Sequence, residues 1–219
     1  IMDNSRIPVL GHADGICHCY VHEDADLEMA VSIVTDSKTQ YVAVCNATET
    51  LLVDESIASV FLPMLKEKLD EKGVELLGCE KTRQIISIGK ADEEDWKTEY
   101  LDYKLSIRVV NDIYQAIQHI NTYGSGHTDS IITRNKEAAE MFMNLVDSGN
   151  VFWNCSTRFS DGFRYGFGAE VGISTNKIHA RGPVGLDGLV IYKYKLIGNG
   201  HIVDDYATGK RTFKHIRVK

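Results

Sequence analysis

"KLSIRVVNDIYQAIQHINTYGSGHTDSIITRNKEAAEMFMNLVDSGNVFWN", Lys104 to Asn154, decides the fold. KLSIRVV is apolar and β-branched over most of its length, as a strand buried on both faces should be. From Asp112 to Tyr123 the pattern changes: Ile113, Ile117 and Ile120 recur at helical spacing, and Gly124 closes the segment. SIITR (Ser130–Arg134) returns to a strand, NKEAAEMFMNLVDSG (Asn135–Gly149) to a helix, and VFWN (Val151–Asn154) to a strand again. Strands separated by whole helices are not hairpins. They imply a mainly parallel sheet with helices on both faces.

The alternation extends upstream. ICHCYVH (Ile16–His22) reads as a strand and DADLEMAVSIVTDSK (Asp24–Lys38) as a helix, with Leu27, Ala30, Val31 and Val34 on one face and Asp24 as N-cap. TLLVDE (Thr50–Glu55) is a short buried strand. PMLKEKLDEKG (Pro63–Gly73) is a helix with Pro63 in its first turn and Gly73 past its end, and VELLG (Val74–Gly78) is the next strand. Beyond Asn154 the texture changes. CSTRFSDGFRYGFGAEVGISTNKIHARGPVGLDG (Cys155–Gly188) is glycine-rich and aperiodic, and so long an irregular segment in a compact domain is usually functional. LVIYKYKLIG (Leu189–Gly198) alternates as a strand with no evident partner in its own domain, which suggests pairing with another chain or domain. The tail from Tyr206 is polar and basic.

Composition narrows the function classes. The 219 residues, 43% hydrophobic and 25% charged, suit one large or two small globular domains. No apolar run is long enough to cross a bilayer, and the opening IMDNSRIPVL does not read as a signal peptide. A net charge of -7 argues against nucleic acid as the main partner but leaves room for a local basic pocket. Five cysteines read as reduced thiols in an intracellular compartment, cytoplasmic or mitochondrial. Cys17 and Cys19, with His18 and His22 nearby, raise the question of a metal. Residues two apart on a strand share a face, and no second pair completes four ligands, so core packing is expected and no metal site. No G-x-G-x-x-G joins a strand to a helix; GFRYGFG (Gly162–Gly168) opens no periodic helix.

Two stretches carry chemistry. AVCNATETLL (Ala43–Leu52) puts Cys45 directly before Asn46, Thr48, Glu49 and Thr50. A packing cysteine would be inert there, and a redox thiol would want a resolving partner. A nucleophile would want a turn that presents the sulfur, and the polar neighbours fit this third reading. His12, His18, His127 and His179 are available for a papain-like triad, a weaker reading because parallel α/β alternation is not that fold. In NCSTRFSDGFRYG (Asn154–Gly166), Arg158 and Arg164 flank Asp161. A guanidinium in a glycine-rich loop suits a carboxylate or phosphate, and a structural Arg–Asp brace is the alternative, more so for Arg164. His179 and Arg181 are expected to be structural or part of an interface.

IPVLGHADGICHCYV, CNATETLLV, YGSGHTDSIIT and WNCSTRFSDGFRYGFGAEVGISTNKIHARGPVGLDGL resemble the gamma-glutamyl phosphate reductase family. The same module forms the C-terminal half of delta-1-pyrroline-5-carboxylate synthase, and GICHCYV, DSKTQY and the tail lean toward that synthase form. The likeness runs to about Gly200. It implies an α/β, aldehyde dehydrogenase-like fold. Residues 1–15 would end a cofactor-binding domain lying mostly before Ile1, 16–155 form the catalytic domain, 156–188 the substrate loop and return to the cofactor domain, and 189–219 an oligomerisation strand and tail.

The resemblance also implies a reaction: NADPH-dependent reduction of L-glutamyl 5-phosphate to glutamate 5-semialdehyde, with release of phosphate, in proline biosynthesis. Cys45 would be the nucleophile that forms a thioester, and its backbone N–H an oxyanion donor. Arg158 would hold an anionic end of the substrate, with Ser156, Thr157, Ser160 and Asn46 as further contacts, and Glu99 would meet the nicotinamide ribose. Val42, Val44 and Cys155 depart from the family's usual residues, and Cys155 would put a second thiol near the site. A homo-oligomer, dimer or tetramer, is implied, as is a fused or associated glutamate 5-kinase. An oxidising aldehyde dehydrogenase would want a glutamate base in the GHADG region, where this chain has His12. A non-catalytic oligomerisation module is the rival from another class.

Overall fold

The computed structural model describes residues 4–11 and 14–215, so His12 lies outside the described residues. The chain divides into two compact units, Ile1–Leu189 and Val190–Lys219.

The first unit is built on seven strands: β1 (Cys17–Val21), β2 (Thr48–Asp54), β3 (Glu75–Gly78), β4 (Gly89–Lys90), β5 (Lys104–Val110), β6 (Thr128–Ile132) and β7 (Asn150–Trp153). They lie in the order β4-β3-β5-β2-β1-β6-β7, and each neighbouring pair is parallel. The central strands β1, β2 and β6 are buried at every position. Helices α1 (Leu27–Thr39), α2 (Glu55–Glu71) and α3 (Glu80–Ile85) cover one face, and α4 (Ile113–Tyr123) and α5 (Lys136–Leu145) the other. One core joins Cys19, Val21, Leu51, Val53 and Ile107 to Val34, Phe61, Leu62 and Leu65. The second joins Tyr20, Leu52 and Ile131 to Ile117, Ile120 and Phe142. Adjacent residues of one strand therefore enter opposite cores, which is why these strands read as continuous apolar runs.

Several boundaries move. The Asp24 cap belongs to Asp26, whose side chain accepts from Met29 N at 3.0 Å. Asp24 instead uses its carboxylate to accept from Asn135 Nδ2 at 2.9 Å, tying β1 to the start of α5. Helix α2 starts eight residues before Pro63, at Glu55, where Asp54 caps Ser56 N at 3.0 Å. Pro63 lies on the exposed face of its interior. Gly73 stands past the helix end at φ +69°, a left-handed conformation that glycine adopts without steric cost. Strand β4, helix α3 and the antiparallel pair β8 (Gly172–Ser174) and β9 (Gly182–Val184) carry no periodic signal long enough to read. A four-residue helix, α6 (Gly162–Tyr165), opens the glycine-rich loop.

The strand expected over 189–198 does not form within this chain. Leu186–Leu189 is a 3-10 turn, and the residues after it join no ladder. A strand needs a neighbour for its backbone N–H and C=O groups, and the described residues supply none. Ile191, Leu196 and Ile197 are more than 90% exposed. Farther along, α7 (Val203–Ala207) presents Asp205 to Lys210 and Arg211.

Candidate functional site

The site sits at the N-terminal edge of the sheet. Cys45 occupies the turn before β2, closed by Ala47 N to Val44 O at 3.1 Å. His127 immediately precedes β6, and Gly15 lies just before β1. A Cβ on Gly15 would stand 2.1 Å from the Cys45 carbonyl oxygen, so only glycine lets the two backbones approach so closely. Cys17 Sγ donates to the same carbonyl at 3.2 Å. Open parallel sheets usually collect ligands at the carboxyl ends of their strands. Here the turns at the opposite ends gather.

His127 Nε2 is 3.2 Å from Cys45 Sγ. The neighbours of the other ring nitrogen fix which one carries the proton. His127 Nδ1 is 2.8 Å from Thr128 Oγ1, and Thr128 Oγ1 gives its own proton to Ser160 Oγ at 2.9 Å. Thr128 must then accept from Nδ1–H. That leaves the Nε2 lone pair facing the cysteine, so the ring is set to accept a proton from Sγ.

The Cys45 thiol needs such an acceptor. Burial pushes its pKa above the ordinary thiol range, and the Glu99 and Glu170 carboxylates push the same way. Its own backbone N–H and the Arg158 guanidinium act in the opposite sense. Near neutral pH the sulfur is a thiol, and reaction requires that its proton be moved.

Arg158 is only 8% exposed. Its Nε donates to Gln40 Oε1 at 3.0 Å, and it forms no ion pair among the described residues. The brace falls to Arg164, whose Nη1 is 3.8 Å from Asp161 Oδ2 and donates to Arg158 O at 2.6 Å. The Asp36 and Asp161 carboxylates offset the Arg158 charge without pairing with it, and burial still draws its pKa down. Arg158 lines a cavity with Asp36, Gln40, Phe159 and Arg164.

The expected hydroxyl contacts are placed differently. Ser156, Thr157 and Ser160 are at most 4% exposed, and their side chains are spent inside the protein. Ser156 Oγ accepts from Ser37 Oγ at 3.1 Å and from Arg158 N at 3.2 Å. Thr157 Oγ1 donates to Asn46 O at 2.7 Å, and Ser160 Oγ accepts from Thr128. Asn46 Nδ2 donates to Ser160 O at 2.7 Å. Through these contacts the four residues brace the loop against the Cys45 turn, Thr157 Oγ1 and Asn46 Nδ2 as donors and Ser156 Oγ and Ser160 Oγ as acceptors. Side-chain type was legible in the sequence; direction was not.

Glu99 precedes β5 and is half-buried, and its carboxylate makes no hydrogen bond or ion pair among the described residues. Glu170 Oε2 accepts from Gly162 N at 2.9 Å. Arg181 pairs with Asp147 at 2.9 Å, and the Cys155 carbonyl accepts from Ser130 Oγ at 2.8 Å.

Beneath the Cys45 turn, Lys38 Nζ meets Glu49 Oε2 at 2.6 Å, with both side chains fully buried. Burial outweighs their attraction: it pushes the Glu49 carboxyl up to about 7 and draws the Lys38 ammonium down. Lys38→Met alone strands the carboxylate, and a broken buried pair costs about 3–5 kcal/mol. Chemical denaturation is expected to show that loss, with most of it recovered in Lys38→Met/Glu49→Leu. A single variant as stable as the wild type would mean that the pair is hydrated.

The chain matches no family model. It is 76% identical over 218 residues to gamma-glutamyl phosphate reductase of Acetivibrio thermocellus and 74% identical to that of Pelotomaculum thermopropionicum. Each match covers 100% of this chain, which spans about half the length of these curated relatives (51% and 50%). Both relatives are bacterial and named as reductases, which does not bear out the lean toward the synthase form. Among solved structures, gamma-glutamyl phosphate reductase of Thermotoga maritima superposes with a TM-score of 0.88 at 49% identity, over 92% of this chain and 49% of that one. An acetylating aldehyde dehydrogenase of Geobacillus thermoglucosidasius shares the fold at TM-score 0.63 and 20% identity, over 90% of this chain and 54% of its own.

Proposed function

Because this chain belongs to the gamma-glutamyl phosphate reductase family over the half of its relatives' length that it spans, we propose that its site reduces L-glutamyl 5-phosphate to glutamate 5-semialdehyde. The observation that carries the reading is the 3.2 Å contact between Cys45 Sγ and the accepting Nε2 of His127. In this reading 16–155 form the catalytic domain and 156–188 the substrate loop. Residues 1–15 end a cofactor domain, and 189–219 present an apolar segment to another copy of the chain, a use to which the exposure of Ile191, Leu196 and Ile197 lends support.

His127 Nε2 takes the Cys45 proton as the sulfur attacks the acyl carbon. The carbonyl oxygen gains negative charge within reach of the Cys45 backbone N–H, and it reforms the C=O as the C–O bond to phosphate breaks. His127 passes its proton to the departing phosphate, and a thioester remains on Cys45. NADPH, held at its ribose hydroxyls by Glu99, would supply the hydride needed to reduce the acyl group on Cys45. The carbonyl would re-form as the aldehyde leaves, and the released Cys45 thiolate would take one proton from solvent by way of His127, which restores the thiol and accounts for the one proton consumed per turnover. Glu99 fits a nicotinamide nucleotide because its unclaimed carboxylate can accept from both hydroxyls of a ribose. Arg158 holds the anionic end of the substrate.

The test is run in reverse, on a protein of the relatives' full length that carries this chain. NADP should be reduced only when both glutamate 5-semialdehyde and phosphate are present. Reduction without phosphate would point to an oxidising dehydrogenase instead. Arg158→Ala should raise KM for the acyl substrate about ten- to a hundredfold, the effect of losing a charge-assisted bond, while KM for NADPH stays put. An unchanged acyl-substrate KM would make Arg158 a purely structural cation.

A further inference from the structure

The mechanism leaves the fully buried Lys38–Glu49 pair without a task, although replacing such a pair by apolar side chains is often neutral or better for stability. We propose that Glu49, held by Lys38, is a positioning residue that sets the Glu99 turn against Cys45 and thereby governs how the site meets the nicotinamide ribose, an inference that rests on the reductase reading above.

The geometry runs in one unbroken line. Lys38, in the last turn of α1, fixes Glu49 through Oε2 at 2.6 Å. The other oxygen, Oε1, accepts from the backbone N–H of Leu101 at 3.3 Å. Leu101 has φ +54°, a left-handed conformation that a leucine holds only when its surroundings impose it. Leu101 is 45% exposed; the Glu49 carboxylate holds its backbone N–H, and the Tyr100 hydroxyl beside it is anchored on Ser106 Oγ at 2.6 Å and Asp95 Oδ1 at 2.8 Å. Two residues before Leu101 stands Glu99, and four residues before Glu49 stands Cys45. A single buried carboxylate thus ties the ribose-facing turn to the strand that presents the nucleophile.

The same helical turn secures the substrate side. Ser37 reaches Ser156 Oγ at 3.1 Å and accepts from Thr157 N at 3.3 Å, and Gln40 takes Arg158 Nε at 3.0 Å. Only the Lys38 branch leads toward Glu99. Loss of that branch should therefore separate the two substrates: cofactor affinity falls and acyl-substrate affinity stays.

The groups acting on Cys45 provide a readout that needs no turnover. Glu99 acts from the turn before β5, Glu170 and Arg158 from the loop after β7, and His127 from the start of β6; Cys17 touches the Cys45 carbonyl from β1. Because Glu99 raises the Cys45 pKa, freeing its turn lowers the pH at which the thiol is alkylated.

Lys38→Met/Glu49→Leu removes the charges and the Leu101 acceptor together, whereas Lys38→Met/Glu49→Gln removes the charges and keeps an acceptor. In the full-length protein the Leu variant should raise KM for NADPH about tenfold and leave the acyl-substrate KM unchanged, while the Gln variant stays near wild type. The pH midpoint of Cys45 alkylation, read by mass spectrometry of its peptide, should fall in the Leu variant and in Glu99→Gln but not in the Gln variant. Should the Leu variant not fold, Glu49→Asp carries the same expectation, since it withdraws the carboxylate from Leu101 by one methylene. A folded Leu variant with the wild-type midpoint and cofactor KM overturns the proposal, and so does an equal rise in both Michaelis constants. Failure of the reductase reading looks different: the wild type would show no phosphate-dependent NADP reduction, yet the alkylation midpoints would still move.

Discussion

Cys45→Ala is expected to abolish turnover in both directions, by a factor on the order of 10⁴ or more, while leaving the melting temperature within a few degrees of wild type. The size follows from the chemistry. Without the sulfur no covalent acyl intermediate can form, and water is no substitute, because a hydrolysed acyl phosphate cannot be reduced. The selectivity follows from the position. Cys45 sits in a turn and is only half-buried, and none of the apolar core rests on it. Cys17 and Cys19, by contrast, are sealed in the sheet with their thiols pushed up by burial, the latter to about 11. Alkylation should thus mark Cys45 well before either of them. Residual turnover at a tenth of wild type in the alanine variant would end the covalent route, whatever the alkylation pattern.

The parallel sheet was legible because its signals are local. Asp112 and Asn135 cap α4 and α5 with their own side chains, at 2.8 Å to Gln115 N and 3.0 Å to Ala138 N, and the apolar spacing between caps needs no tertiary information. Pro63 misled for an equally local reason. Proline is commonest in a first helical turn, but the Asp54 cap nine residues earlier had already started the helix. As a candidate nucleophile, Cys45 was legible from the polar residues behind it. His127 was not: it was only one of several histidines, 82 residues from Cys45. The two meet because β1 lies between β2 and β6, which brings the turns before all three strands to one edge. Strand order is a property of the whole chain, and no spacing rule encodes it. The directions of the Ser156, Thr157 and Ser160 hydroxyls were illegible for the same reason, since composition names a donor but only packing says which way it points.

That strand order makes His127 the more informative of the two site variants. His127→Ala removes the acceptor for the Cys45 proton while leaving the sulfur, and general-base removal typically costs 10²- to 10⁴-fold. The loss should fall on kcat for the acylation half-reaction, read as the burst of phosphate release in a single turnover. It should also depend on pH with a definite sign. Burial and the Glu99 charge hold Cys45 above the ordinary thiol pKa, so at neutral pH the variant has neither a base nor a thiolate. As the pH rises past that value the thiolate forms unaided, and the ratio of wild-type to variant rates should shrink steadily. Thr128→Val should show a milder version of the same profile, because it removes the oxygen that holds the proton on Nδ1 while leaving the ring in place. A deficit that stays constant from neutral to alkaline pH would mean that the ring holds the turn in shape and moves no proton.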